Sequence, residues 1–81
     1  MNVDDRVIDL IAQLATVKRA DIKPDDRLRD DLGMDSVSSM ELLSLLAEEL
    51  QLDIPVEEAT AVTTVAEALA MARRHLPQET H

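Results

Sequence analysis

The fragment Gly33-Met34-Asp35-Ser36 places a nucleophilic hydroxyl three residues after the only glycine of an 81-residue chain, just ahead of an apolar, helix-patterned run. Three kinds of chemistry fit such a serine. As a hydrolase nucleophile it would need a general base to take its proton and N–H donors for the oxyanion. The fragment lacks the G-x-S-x-G spacing of a nucleophile elbow, and the only histidines are His75 and His81. His75 falls in the last turn of a helix pattern, where a cation suits the dipole. His81 is the final residue, at an end expected to fray. No catalytic residue is assigned, and the chain is read as a non-enzyme. In the second reading Asp35 is the N-cap of the following helix, accepting from the amide of Val37 or Ser38, and contributes ~1 kcal/mol of helix stability. In the third, Ser36 is an acceptor. A serine at a helix N-terminus meets free amides and the positive end of the dipole, which favour a phosphate ester. Asp30, Asp31 and Asp35 oppose a phosphate there, but they favour docking of a basic modifying enzyme and offer carboxylates to a magnesium ion.

The elements that must present this serine are helical. Val3, Val7, Ile11 and Leu14 recur at three- and four-residue steps beside Ile8 and Ala15, which predicts an amphipathic helix over about residues 3–17. Asp4 and Asp5 suit its start, and Lys18-Arg19 lie just past its end. From about residue 18 to 35 the periodicity is lost, and Asp21, Lys23-Pro24-Asp25-Asp26 and Gly33 punctuate the stretch. Ile22, Leu28 and Leu32 are expected to pin this long connection onto the core at intervals. A second helix is expected over about 36–51, closed by Ile54-Pro55, and a short helix or single turn over 56–61. Thr64-Val65-Ala66-Glu67 has the form of a capping box. It predicts a last helix over about 64–76, with Val65, Leu69, Ala72 and Leu76 on one stripe and Pro77 after it. No stretch alternates like a strand. The expected architecture is all-α: a four-helix bundle with three long helices and one short one, and a long ordered loop between the first and second helices. It forms a single domain over residues 1–81. A chain this small buries only roughly 60% of its unfolded surface. With no cysteine, no aromatic residue and no Cys/His cluster for zinc, its core must be Leu, Ile, Val, Ala and Met alone.

Charge narrows the partners. The formal net charge is −9, and residues 35–67 carry eight acids and no Lys or Arg. Nucleic-acid binding needs cations to displace counterions, so no nucleic acid is expected. A partner with a basic face, steered electrostatically, is expected instead. No apolar run approaches 18 residues, so no membrane insertion is expected. No signal peptide is visible, and a cytoplasmic monomer is the expectation.

On a wheel at 100° per step, Leu42, Leu43, Leu45, Leu46 and Leu50 share one broad core side of the second helix. The opposite side carries Val37, Met40, Glu41, Ser44, Ala47 and Glu48. Two apolar residues one turn apart, just after Ser36 and ringed by acid, make a plausible protein-docking patch.

With these residues in view, the stretch LRDDLGMDSVSSMELLSLLAEELQLDIP resembles the acyl carrier protein family. The match rests on Leu32, Gly33, Asp35, Ser36 and Val37, on Glu41-Leu42 five residues after the serine, and on Ile54-Pro55. Pro24-Asp25 and Thr64-Val65 with Leu69 extend it over about residues 3–76. The resemblance implies that a phosphopantetheinyl transferase esterifies Ser36 with 4′-phosphopantetheine from coenzyme A, with Asp35 and Gly33 shaping the cap and turn. The arm's thiol then carries acyl or aminoacyl groups as thioesters, in fatty acid, polyketide or nonribosomal peptide biosynthesis. It further implies that Val37, Met40, Glu41, Ser44 and Glu48 face the partner synthases, ligases and transferases, which bring basic docking faces. Val37 stands where leucine is usual, Ser38-Ser39 replace a commonly acidic or polar pair, and Leu50 stands where phenylalanine is frequent. These departures leave room for a specialised, free-standing carrier. A helical interaction module that is never modified is the alternative from another class. The aliphatic region of Leu42, Leu46, Ile54, Ala59 and Val62 is expected to open for an acyl chain.

Overall fold

A computed structural model describes residues 2–76. Pro77 and His81 lie outside the described residues. Four helices follow in order: α1 (Val3–Ala15), α2 (Ser36–Glu49), α3 (Val56–Ala61) and α4 (Val65–Arg74), with a single 3₁₀ turn at Arg19–Asp21. Three helices are long and one is short. Among the described residues there is no strand, only an isolated antiparallel bridge between Arg27 and Thr64.

Each helix ends where its local chemistry dictates. Asn2, not singled out from the sequence, caps α1: its side-chain oxygen accepts the Asp5 N–H at 2.9 Å. α1 stops at Ala15, short of the expected residue 17. Thr16 turns left-handed (φ 58°) and donates its N–H to the Ala12 carbonyl, and the Val17 N–H reaches the same carbonyl at 3.1 Å. α4 starts on the capping box. Thr64 Oγ1 accepts the Glu67 N–H (3.2 Å), and Glu67 Oε1 accepts from Thr64 (3.1 Å) and Thr63 (2.7 Å). α4 ends at Arg74, so Leu76 lies beyond it and is 38% exposed instead of extending the buried stripe.

The core is wholly aliphatic, and no polar or charged residue is buried among the described residues. Val7, Leu10 and Ile11 of α1 meet Leu42 and Leu46 of α2 and Val65, Ala68, Leu69, Met71 and Ala72 of α4. Leu10, Ala68 and Met71 add width to the expected stripes, because each helix is wedged between two neighbours and so buries more than one row. Ion pairs stitch the elements from outside: Arg6 to Glu49, Arg19 to Asp5 and Asp9, Arg73 to Asp4, and Arg74 to Glu58. Such half-exposed pairs contribute about 0–1 kcal/mol each. They hold register more than they supply stability.

The long connection between α1 and α2 is ordered by polar atoms as well as apolar ones. The Asp26 carboxylate accepts the Lys23 N–H (2.8 Å), and the Asp31 carboxylate accepts the Arg27 N–H (2.7 Å). The loop then supplies acceptors to the start of α4. The Pro24 carbonyl takes the Ala66 N–H (2.8 Å), and the Asp26 carbonyl takes the Val65 N–H (3.0 Å). Those two amides are among the orphan donors of any helix N-terminus. Leu28 donates its N–H to the Thr63 carbonyl (2.9 Å). Leu28 and Met34 are buried, whereas Ile22 and Leu32, two of the three expected pins, are only half-buried.

Candidate functional site

The site begins with the turn that delivers α2. Gly33 has φ +72°, the left-handed region, and its N–H donates to the Arg29 carbonyl at 3.1 Å. A Cβ built there would meet nothing within 4 Å, so the case for glycine is backbone strain and not space. Left-handed backbone costs an L-residue about 1–2 kcal/mol, less for asparagine. Gly33→Ala is therefore expected to lower the denaturant-derived stability by about that amount and Gly33→Asn by less. Equal stability of both variants and the parent would remove the conformational role. Met34 follows with its N–H on the Leu28 carbonyl (2.8 Å) and its side chain only 2% exposed, which fastens the turn to the core.

Asp35 is extended (φ −97°, ψ −171°) and caps α2, its Oδ1 accepting the Ser38 N–H at 2.9 Å. The Ser38 amide, and then the Ser38 hydroxyl, hold the Asp35 carboxyl below the usual carboxylate range. Ser36 is the first helical residue and is exposed. His75, one of the two histidines, binds Glu58 through Nε2 at 2.7 Å, at the junction of α3 with α4. Asp31 and Asp35 are committed to backbone amides, and among the described residues no group of His, Asp or Glu is arranged to hold a metal ion. Asp31 thus serves a turn and Asp35 a cap, while Asp30 faces Arg27.

Two grooves meet at Ser36. The first is an open depression of about 560 Å³ along the outward face of α2, lined by Ser36, Val37, Met40, Glu41, Ser44, Leu45 and Glu48. Val37 is 65% and Met40 43% exposed. Glu41 and Glu48 make no ion pair among the described residues, while Arg6, Arg19, Arg73 and Arg74 are engaged by acids of other elements. No Lys or Arg lines this face, so it keeps its negative charge. Leu45 also lines it while packing, half-buried, against the core, as Leu43 and Leu50 do. At 100° per residue it falls beside Glu41, away from the line through Leu42 and Leu46.

The second groove, about 470 Å³, lies on the α3 side of Ser36. The loop contributes Arg27, Arg29, Asp30 and Met34, α2 contributes Ser39 and Met40, and α3 with its exit contributes Ala59, Thr60, Val62 and Thr63. Nothing in the sequence marks Arg27, Arg29, Thr60 and Thr63 as neighbours of Ser36, since they come from segments far apart in the chain. Behind it, the seam among Leu28, Leu42, Leu46, Ala59, Val62, Ala68 and Met71 encloses only about 20 Å³, room for about one water. Ile54, expected in that seam, is buried outside it.

These features have counterparts among known proteins. The chain is similar to a solved solution structure of an apo doublet acyl carrier protein from prodigiosin biosynthesis. The two superpose with a TM-score of 0.76 at 25% identity, over 93% of this chain and 36% of that one. The chain thus spans about a third of the length of that relative. Residues 5–72 match the family model described as the phosphopantetheine attachment site. That match takes in the loop, the Gly33 turn, Ser36, α2, α3 and most of α1 and α4, so the chain belongs to the phosphopantetheine-attachment family of acyl carrier proteins, which are carriers and not catalysts.

Proposed function

We propose that Ser36 is the residue of this chain that receives 4′-phosphopantetheine, and that the loaded protein presents acyl or aminoacyl thioesters to partner enzymes. The observation that carries the reading is the placement of Ser36. It is exposed, first in α2 directly after the Asp35 cap, and shared by both grooves. Free amides at that helix end and an accessible Oγ suit a phosphoester. In the transfer, Ser36 Oγ forms the new bond to phosphorus and loses its proton to the transferase, while the nucleotide half of coenzyme A leaves. The group supplies the thiol that the chain, with no cysteine, lacks. Gly33 and Asp35 hold the turn and cap that keep Ser36 outward.

The partner enzymes read the outward face of α2: Val37, Met40 and Leu45 supply apolar contact, Ser44 a hydroxyl, and Glu41 and Glu48 the charge that a basic surface meets. Unpaired rim charges act mainly on association rate and its salt dependence. Glu41→Lys and Glu48→Lys are each expected to weaken transferase binding several-fold at low salt. The difference should fade at 1 M salt, where the screening length is about 3 Å. Melting of both variants should stay within about 0.5 kcal/mol of the parent. Equal affinities at low salt would count against this face.

A specialised biosynthetic pathway fits better than housekeeping fatty acid synthesis. The similar structure comes from prodigiosin biosynthesis, and the chain lacks any aromatic residue. No described helix is long and apolar enough to cross a membrane. The decisive experiment is incubation with coenzyme A, magnesium and a broad-specificity transferase, followed by intact mass. A gain of one phosphopantetheine is expected, and no gain would favour an unmodified interaction module.

A further inference from the structure

We propose that Arg29 holds the phosphodiester of the Ser36-linked arm, so that the arm leaves Ser36 along the α3-side groove and not along the outward face of α2. This rests on attachment at Ser36. Because Ser36 and Met40 line both grooves, the remaining walls decide the direction. A phosphodiester keeps a negative charge. The outward groove offers it Glu41 and Glu48 and no cation, whereas the α3-side groove offers Arg27 and Arg29. Like charges repel and unlike attract with an energy that grows as solvent is displaced.

The two arginines are not equivalent. Arg27 faces Asp30 at 3.5 Å. Arg29 makes no ion pair and no side-chain hydrogen bond among the described residues, and it is exposed. Its main chain is fixed, because its carbonyl accepts the Gly33 N–H at 3.1 Å. The guanidinium therefore springs from the same turn that delivers Ser36, and its planar fork matches phosphate oxygens. The groove's acids, Asp30 and Asp35, are turned to Arg27 and to the Ser38 amide (2.9 Å), respectively. The other walls combine hydroxyls with apolar surface: Ser39 and Thr63 with Met34 and Val62. Thr60 donates its hydroxyl to the Glu57 carbonyl (3.0 Å) and keeps its lone pairs for an incoming N–H. That combination suits an arm in which amides alternate with methylenes. A volume of about 470 Å³ also suits a ligand of that size.

The test uses the full chain, loaded from coenzyme A by a broad-specificity transferase and checked by intact mass. ³¹P spectra and ¹H–¹⁵N spectra, including arginine Nε–H groups, are compared for the wild type, Arg29→Gln, Arg29→Lys and the control Arg74→Gln. Loading is expected to shift the Arg29 Nε–H resonance and the amides of Ser39 and Thr63. Arg29→Gln should move the phosphorus resonance and cancel the Ser39 and Thr63 shifts, Arg29→Lys should restore them in part, and Arg74→Gln should change neither. Should a variant resist loading, the wild-type shifts decide alone. A mass gain with no shift at Arg29, or with shifts confined to Ser44 and Glu48, overturns the assignment and leaves the Ser36 attachment standing. No mass gain overturns the attachment and this assignment together.

Discussion

Ser36→Ala is expected to abolish the mass gain of phosphopantetheinylation completely while leaving the helical fold and melting temperature nearly unchanged. The two halves of that expectation have separate causes. Ser36 is exposed at the first position of α2, and its backbone, not its side chain, serves the helix. The cap is Asp35, whose carboxylate holds the Ser38 amide. Alanine is at least as good a helix former as serine, and exposed substitutions away from special features stay within about 0.5 kcal/mol. Loading, by contrast, depends on one nucleophilic oxygen. Ser38 and Ser39 remain in the variant as internal competitors, since both sit in the first turn of α2, but they are half-buried. A Ser36→Ala protein that still gains the mass would move the attachment to one of them. A circular dichroism spectrum without helix would show that the variant tested folding rather than chemistry. Ser38→Ala, with Ser36 intact, keeps the question open to decision in that event.

The largest stability effect outside the helices is expected at Met34. Met34→Ala should cost about 2–5 kcal/mol, and a domain of this size loses roughly 4–8 °C of melting temperature per kcal/mol. The expected drop is thus at least about 8 °C. Met34→Leu, which conserves volume, should cost under about 1.5 kcal/mol. The reason is position. Met34 lies between Gly33 and Asp35, is 2% exposed, and carries its own backbone bond to Leu28. It is the point where the turn before Ser36 is tied to the core. The variant should therefore also loosen the site, read as faster amide exchange at Gly33 through Ser38. A Met34→Ala protein as stable as its parent would mean that the loop is held by its polar contacts with α4 alone.

The helices were legible because their signals are local. The periodic apolar residues of α1, the Thr64–Glu67 capping box and the Asp35 cap each act within about one or two turns, a range that sequence spacing describes directly. Chain ends of helices were less legible. The stop at Ala15 depends on Thr16 adopting a left-handed conformation that a β-branched residue seldom takes. The loss of Leu76 from the α4 stripe follows from an end two residues earlier than periodicity suggests. The burial of Met34 is not legible in the sequence, because the 18–35 stretch has no period to set which apolar residues turn inward. Leu28 and Met34 are selected there by backbone bonds to Thr63 and within the turn.

The candidate site divides along the same line. One contiguous stretch, Gly33 to Glu48, encodes the turn, the cap, the exposed serine and the acid-ringed outward face, because a helix fixes the relative directions of residues within a dozen positions of one another. No such rule links Arg29 to Thr63, or Pro24 to Ala66. Those neighbours exist only once the long loop docks on the start of α4 and supplies its orphan amides with acceptors. The sequence by itself determined that Ser36 stands at a helix start beside an acidic face. Only the tertiary structure decided that a second groove, with Arg29 among its walls, opens on the other side of the same serine. The physical reason is that its walls come from three segments brought together by packing, and packing is a property of the folded chain as a whole.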